Sequence, residues 1–280
     1  MSAPPYAFDA NDADVILRAP LPPESEEKFK DFRVHKLILS IASTIFNDMF
    51  SIPQPPQPAT GTVLLPTVTV VESAKVFETF LRLIYPIEPP AIYSLQLVDD
   101  LFRLSEKYMT NVVHEKLKQI LVSPIFIESD PVWVYAIACR ADLGMEAELA
   151  IPHTFRIDPV RDVPRARLQM MTAETYNSLL VSHANRRSWI IYALGQVVFP
   201  SSEPGGCGCG YPDWFYARLF KDLTIAVWEK PFLDRERLDS CLSVFEMPES
   251  ECGLGASCAV SPQAIARYFT SILNEIERSE

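Results

Sequence analysis

The chain has no long apolar run, no excess of basic residues and little glycine. No apolar run approaches the roughly 18 residues that a membrane-spanning helix needs, so the sequence predicts no such helix. A net charge of −11 disfavours binding to nucleic acid or to an anionic membrane, because both need a cationic surface that faces phosphate groups. Glycine occurs nine times in 280 residues, and no phosphate-binding glycine loop is present.

The sequence motifs of common enzymes are also missing. There is no nucleophile elbow and no His-Glu-x-x-His zinc motif. His35 has no serine or cysteine partner that the sequence identifies, so it is interpreted as a core or capping residue. These absences agree with the expectation that the protein is not an enzyme. Residues 1–6 lack the charged and apolar regions of a signal peptide, which predicts an intracellular protein of the cytoplasm or nucleus.

What is present is the composition of a globular protein. Hydrophobic residues make up 48% of the chain and charged residues 22%, values typical of globular domains. The length of 280 residues suits one large domain or two ordinary ones, and such a chain can bury a core without disulfides. In an intracellular protein, the six cysteines are more often thiols or metal ligands than disulfides.

The order predicted for the N-terminal part is β–β–α–α–β–α–α–α. A strand begins at Asp14, and a second strand runs into His35 and Lys36, which open the first helix. The second helix begins at Ser43 and ends at Phe50. The other predictions are a strand at Val63, Leu64 and Leu65 and helices over residues 73–85, 95–108 and 112–122. Strands this short need helices to cover their sheet.

After residue 130 the sequence predicts helices only. Asp130 caps a helix that has Pro131 at its first position, and Gly144 is predicted to be the C-cap of that helix. A short helix over residues 145–150 is predicted to stop before Pro152. Further helices are predicted over residues 172–183, 188–198 and 212–229. The C-terminal region is therefore expected to be all-α.

The helices of the C-terminal region are rich in aromatic and aliphatic side chains. Four aromatic residues are predicted to lie in the core: Trp189, Tyr192, Trp214 and Trp228. A last amphipathic helix opens at Ser261 and Pro262. At helical spacing it carries the apolar residues Tyr268, Phe269, Ile272, Leu273 and Ile276.

Two short glycine-rich segments hold four of the six cysteines, namely Cys207, Cys209, Cys252 and Cys258. Glycine permits the tight turns that bring nearby thiolates to one ion, and tetrahedral zinc takes four such ligands. The pattern indicates a structural zinc site between two loops, with Cys241 and His183 as spare ligands. Its spacing is not that of a standard zinc knuckle, so free thiols and disulfides remain the alternatives. Cys139, on an apolar helix face, is predicted to be a core residue.

Three stretches of the N-terminal part have a distinctive order and spacing. Residues 14–17 read Asp-Val-Ile-Leu, residues 32–36 read Phe-Arg-Val-His-Lys, and residues 46–50 read Phe-Asn-Asp-Met-Phe. Leu39 and Ser43 lie between the second stretch and the third. This pattern resembles the signature of the BTB/POZ domain, a protein-interaction module. The resemblance extends over residues 8–123.

The resemblance implies a fold and a domain organisation. An α+β BTB/POZ domain over residues 8–123 would consist of a short three-stranded sheet covered by about five helices. An all-α region over residues 124–280 would come after it. Residues 131–147 look like the BACK-like helical region that comes after the domain in many fungal proteins of this type.

The resemblance also implies partners and a site. BTB domains homodimerise through their first helix and neighbouring elements, which predicts a homodimeric adaptor or scaffold that binds other proteins. Some relatives are substrate adaptors for cullin-type ubiquitin ligases, and others recruit transcriptional co-repressors. In transcription-factor relatives, the residues that match Asp14 and Lys36 form a charged pocket at the dimer groove, next to the position of His35. The alternative for this acid and base is an ion pair that fixes a strand against a helix.

Overall fold

The computed structural model describes residues 8–52, 65–195, 213–232, 236–237 and 240–241. The chain divides into two compact units, the first of which ends at Glu146 and the second of which begins at Ala147. The predictions for Val63, Leu64, the side chain of Trp214 and the helix at residues 261–276 lie outside the described part.

A three-stranded sheet forms one layer of the first unit. Strand β1 (Val15–Pro20) lies between β2 (Phe29–Val34), to which it is antiparallel, and β3 (Thr67–Thr69), to which it is parallel. Alternate residues of β1 are buried, as in a strand with one face on a core. The predicted three-stranded sheet is confirmed, although its third strand begins after Leu65 rather than including it.

Seven helices lie wholly within the described part of the first unit. They are α1 (Lys36–Ala42), α2 (Thr44–Ser51), α3 (Ala74–Ile84), α4 (Leu95–Lys107), α5 (Asn111–Leu121), α6 (Pro124–Ile127) and α7 (Pro131–Arg140). Three of them, α2, α4 and α7, begin at side-chain caps. Ser94 Oγ accepts the N–H of Leu97 at 3.4 Å at the start of α4. Ser43 Oγ accepts the N–H of Phe46 at 3.0 Å at the start of α2, and Asp130 Oδ1 accepts the N–H of Trp133 at 3.1 Å at the start of α7.

The core of the first unit lies between the sheet and its helices. Phe32 of β2 and Phe77 of α3 are both fully buried, and their ring centroids are 6.0 Å apart. Phe46 of α2 stacks on Tyr108, directly after α4, with a centroid distance of 4.7 Å. The hydroxyl of Ser43 donates to the carbonyl of Tyr108 at 2.5 Å. The junction between α1 and α2 is therefore fixed to the end of α4 by both packing and a hydrogen bond.

Helix α7 is joined to α4 by a buried carboxylate and its partners. Asp99 of α4 is buried, and its Oδ1 accepts a hydrogen bond from Arg140 Nε at 2.7 Å. Its Oδ2 accepts two from Arg103 at 3.2 Å, and Arg140 also donates to Glu106 at 3.2 Å. A buried carboxylate is stable only when it is paired, so Asp99 fixes the position of α7. The first unit thus extends past residue 123. The end of the BTB/POZ domain at residue 123 stays a prediction.

The regular secondary structure in the described part of the second unit consists of helices. They are α8 (Gly144–Thr154), which begins in the first unit, α9 (Arg165–Leu168), α10 (Ala173–Gly195) and α11 (Asp213–Glu229). Helix α10 is continuous where the sequence predicts two helices. Pro152 lies inside α8, contrary to prediction, and it disturbs little because α8 ends only two residues later. None of the described helices is long and apolar enough to cross a bilayer.

The end of α7 also differs from the prediction. The sequence assigns the C-cap to Gly144, but the left-handed residue is Asp142, with a φ of 56°. The N–H of Leu143 donates to the carbonyl of Ala138 at 2.8 Å and closes the helix end. Gly144 instead begins α8. Aspartate tolerates the left-handed region because its short polar side chain bonds locally, so this turn does not need the glycine.

Three aromatic residues of α10 and α11 are not in the core. Trp189 is 37% exposed, Tyr192 66% and Trp228 61%, so the prediction that they are core residues is wrong. The interior of these helices is aliphatic, with Leu179, Ile190, Leu194, Leu219, Leu223 and Val227 buried. The guanidinium of Arg186 lies 5.2 Å from the ring centroid of Trp189, and that of Arg187 lies 5.2 Å from Trp228. Each of these exposed tryptophan rings therefore lies against an arginine.

Candidate functional site

Asp14 fixes the first turn of α1 from outside the helix. Its Oδ1 accepts the backbone N–H of Lys36 at 2.7 Å. Lys36 is the first residue of α1, and its N–H has no partner within the helix. The preceding residue, His35, provides no side-chain cap. The exposed carboxylate of Asp14 therefore replaces a conventional N-cap and places a negative charge at the positive end of the helix dipole.

His35 connects three segments of the first unit. Its backbone N–H donates to Tyr85 Oη at 2.9 Å, and its Nδ1 lies 3.2 Å from the same oxygen. Its Nε2 lies 3.2 Å from Asp12 Oδ1, and this hydrogen bond lowers the pKa of the Asp12 carboxyl. The imidazole thus joins the segment before β1 to the residue directly after α3. Sequence reasoning missed Tyr85 because nothing local indicates that its hydroxyl reaches His35.

Lys36 contacts an aromatic ring rather than the predicted acid. Its Nζ lies 5.9 Å from the ring centroid of Phe50, at the other end of the α1–α2 hairpin. Asp14 and Lys36 come together through a carboxylate and a backbone amide, and their side chains form no ion pair. The structure therefore brings Asp14, His35 and Lys36 to one end of α1, while a charged pocket made by them stays a prediction.

The outer face of α1 carries exposed aliphatic side chains. Leu37 is 70% exposed and Ile41 is 80% exposed. They lie four residues apart, so they are neighbours on one face of the helix. The one buried residue of this helix is Leu39. Periodicity alone cannot separate such a face from a core face, because both are apolar.

The cysteine loops lie outside the described residues. This applies to Cys207, Cys209, Cys252 and Cys258, so the zinc hypothesis stays a prediction. The spare ligands are described: His183 is buried, and Cys241 is a half-buried free thiol. No group of three metal-ligating side chains occurs within the described ranges.

Cys139 is not a fully buried core residue. It is a half-buried free thiol on α7, hydrogen-bonded to Tyr135, and partial burial raises its pKa. A thiol with a raised pKa has little thiolate at neutral pH and is correspondingly unreactive.

Residues 25–124 match the family model of the BTB/POZ domain. The match begins between β1 and β2 and ends at the first residue of α6. The elements within it are a strand, two short helices, a further strand and three longer helices, in the order that the sequence pattern predicts. The chain carries a BTB/POZ domain. The resemblance seen in the sequence is therefore confirmed, and the fold agrees with it.

A BTB/POZ domain is in general a protein-interaction module and not an enzyme, so this chain is one that binds other proteins. No curated protein sequence gives a significant match to this chain. The likeness of residues 131–147 to a BACK-like region stays a prediction.

Proposed function

We propose that this BTB protein is a non-enzymatic adaptor or scaffold that homodimerises through α1. The observation that supports this most strongly is the pair of aliphatic side chains on the outer face of that helix. Leu37 is 70% exposed and Ile41 80% exposed, and adjacent exposed aliphatic residues are typical of surfaces that bind another protein. Removing their apolar surface from water favours docking by roughly 25 cal/mol per Å².

The surroundings of α1 favour a rigid docking surface. Asp14 holds the N-terminal end of the helix through the amide of Lys36, and Ser43 fixes its C-terminal end to Tyr108. A surface that is already held in its bound conformation loses little entropy on association. In a twofold dimer the same patch is used by both copies, so Leu37 and Ile41 of one copy face the equivalent residues of the other.

Light scattering coupled to size exclusion tests this proposal on the full-length protein. We expect the mass of a dimer for the wild type. The double variant Leu37→Asp, Ile41→Asp is expected to weaken dimerisation at least about 100-fold, equivalent to about 2.7 kcal/mol, because it would bury four unpaired carboxylates in the interface.

A matched control for this experiment is Val71→Asp. Val71 is 80% exposed but belongs to the segment after β3 and not to α1. The Val71→Asp variant is therefore expected to remain a dimer. A wild-type protein that is monomeric at high concentration would contradict the proposal. So would a double variant that dimerises as well as Val71→Asp.

The finer role of the dimer rests on the resemblance. One role is a substrate adaptor for a cullin-type ubiquitin ligase, and the alternative is recruitment of a transcriptional co-repressor. A pull-down with the purified N-terminal domain of a cullin separates the two. Retention of the cullin by the wild-type protein supports the ligase role, and no retention at high concentration removes it.

A further inference from the structure

The segment between α3 and α4 is rich in proline and open to solvent. Residues 86–93 read Pro-Ile-Glu-Pro-Pro-Ala-Ile-Tyr and belong to no helix or strand. Five of these eight residues are exposed, and Tyr93 is 77% exposed. Ile92 is buried and anchors the segment to the first unit. The segment is therefore a surface loop that is held at one point by an apolar side chain.

The backbone of residues 86–93 has the features of a polyproline II conformation. No backbone hydrogen bond joins these residues to one another or to any other described residue, and polyproline II is a regular conformation without internal hydrogen bonds. Each proline fixes its own φ and drives the preceding residue to an extended ψ. Tyr85, which precedes Pro86, shows this with a φ of −69° and a ψ of 151°.

We propose that residues 86–93 are a ligand for a protein domain that binds polyproline II segments in a groove lined with aromatic side chains. Pro90 and Tyr93 are three residues apart, so in a polyproline II helix they lie on the same edge, about 9 Å from each other. A groove with one pocket for the proline ring and one for the tyrosine ring would recognise this spacing. Glu88 is the one charged residue of the segment, which favours a groove with a cation beside it.

Both ends of the segment are held in place by the fold. Before it, the hydroxyl of the buried Tyr85 accepts the backbone N–H of His35 at 2.9 Å. After it, Ser94 Oγ accepts the N–H of Leu97 at 3.4 Å and begins α4. Fixed ends and stiff prolines leave the segment few conformations to lose, so its binding costs little entropy.

A second exposed proline pair in the first unit lacks these features. Pro22 and Pro23 lie in the connection between β1 and β2, and both are exposed. The carbonyl of Pro22 accepts the N–H of Ser25 at 3.0 Å, so this pair belongs to a hydrogen-bonded turn. A turn does not fit an extended groove, so Pro22 and Pro23 provide a matched control for Pro89 and Pro90.

Binding of the full-length protein to a panel of purified, immobilised SH3, WW and EVH1 domains tests this proposal, because these domains bind polyproline II segments. We expect at least one domain to bind the wild-type protein. The double variant Pro89→Ala, Pro90→Ala is expected to bind that domain at least about tenfold more weakly, equivalent to about 1.4 kcal/mol. The control Pro22→Ala, Pro23→Ala is expected to bind as the wild type does.

Tyr93→Ala provides a variant that does not disturb the backbone. The tyrosine side chain is 77% exposed, so its removal is expected to leave thermal unfolding unchanged and to weaken binding to the same domain. The absence of binding to every domain of the panel would overturn the proposal. Binding that survives in Pro89→Ala, Pro90→Ala would also overturn it, because another segment of the chain would then be the ligand. So would equal weakening in the two proline variants.

Discussion

The two compact units bury polar groups in opposite ways. In the first unit, the buried carboxylate of Asp99 is surrounded by the guanidinium groups of Arg103 and Arg140. In the second unit, the buried imidazole of His183 has no opposite charge among its hydrogen-bond partners. Asp99 is therefore buried as a charge with cationic partners, whereas His183 is buried as a neutral ring.

The state of His183 is set by its surroundings. The hydroxyl of Thr154 donates to the carbonyl of Ile151 at 2.6 Å, so its oxygen accepts a hydrogen bond from His183 Nε2 at 2.9 Å. This places the proton of the neutral ring on Nε2. Nδ1 is buried without a partner among the described residues, so a second proton there would be unsatisfied. Burial and the charge of Arg187 lower the pKa of His183 to about 4.

The largest effect is expected from removing the buried charge of the first unit. Asp99→Asn leaves Arg140, which is 22% exposed, and Arg103, which is 55% exposed, without their carboxylate. Breaking a buried pair in this way costs about 3 kcal/mol, and urea unfolding of the full-length protein measures it. Asp100→Asn is the control, since this half-buried residue accepts one hydrogen bond from Gln96. Equal losses in the two variants would show that burial of Asp99 is not decisive.

Acidification is expected to act on the second unit through His183. Its pKa of about 4 in the folded state is below the ordinary 6.5, so the unfolded chain binds the proton more strongly. This contribution to stability is complete above pH 6.5 and is lost as the pH falls towards 4. At about 1.4 kcal/mol per pH unit, the loss reaches about 3 kcal/mol at most.

The variant His183→Gln isolates this contribution. Whatever its stability at pH 7, its free energy of unfolding should fall less between pH 7 and pH 4 than that of the wild type. His153→Gln removes an exposed imidazole of the same unit and should keep the wild-type slope. A wild-type slope in His183→Gln would contradict a neutral buried imidazole.

The smallest effect concerns the backbone where one unit ends and the next begins. Gly144→Ala is expected to raise the free energy of unfolding by up to about 1 kcal/mol, because alanine restricts the unfolded chain and its Cβ meets no atom within 4 Å. If Gly144 were the left-handed cap that the sequence indicates, the same change would destabilise the protein. Thermal unfolding gives the sign directly.

Local patterns predicted the first unit well. Ser43 and Asp130 both cap helices as predicted, because a cap depends on residues within one turn. The BTB/POZ resemblance was likewise carried by spacing along the chain. The same reasoning failed for Trp189, Tyr192 and Trp228, whose place in the core was inferred from hydrophobicity alone. A large aromatic residue at helical spacing fits an interior or a surface equally well.

In the candidate site, too, local patterns identified the residues but not their contacts. Asp14, His35 and Lys36 were identified from their sequence motif, but the motif does not predict which of their atoms form hydrogen bonds. The structure shows that Asp14 bonds the amide of Lys36 and that His35 bonds Tyr85, fifty residues further along the chain. Long-range contacts of this kind depend on how strands and helices pack, and no local propensity contains them.

The sequence by itself determined the resemblance to the BTB/POZ domain, the order of strands and helices in that domain, and the helical character of the described residues that come after it. These depend on periodicity and capping, which act over a few residues. Only the tertiary structure decided which apolar face of α1 stays in water, and that Asp99 ties α7 to α4. It also decided that the tryptophans of α10 and α11 lie outside the core. Burial is a property of the packed whole, because it depends on which surfaces from distant segments cover one another.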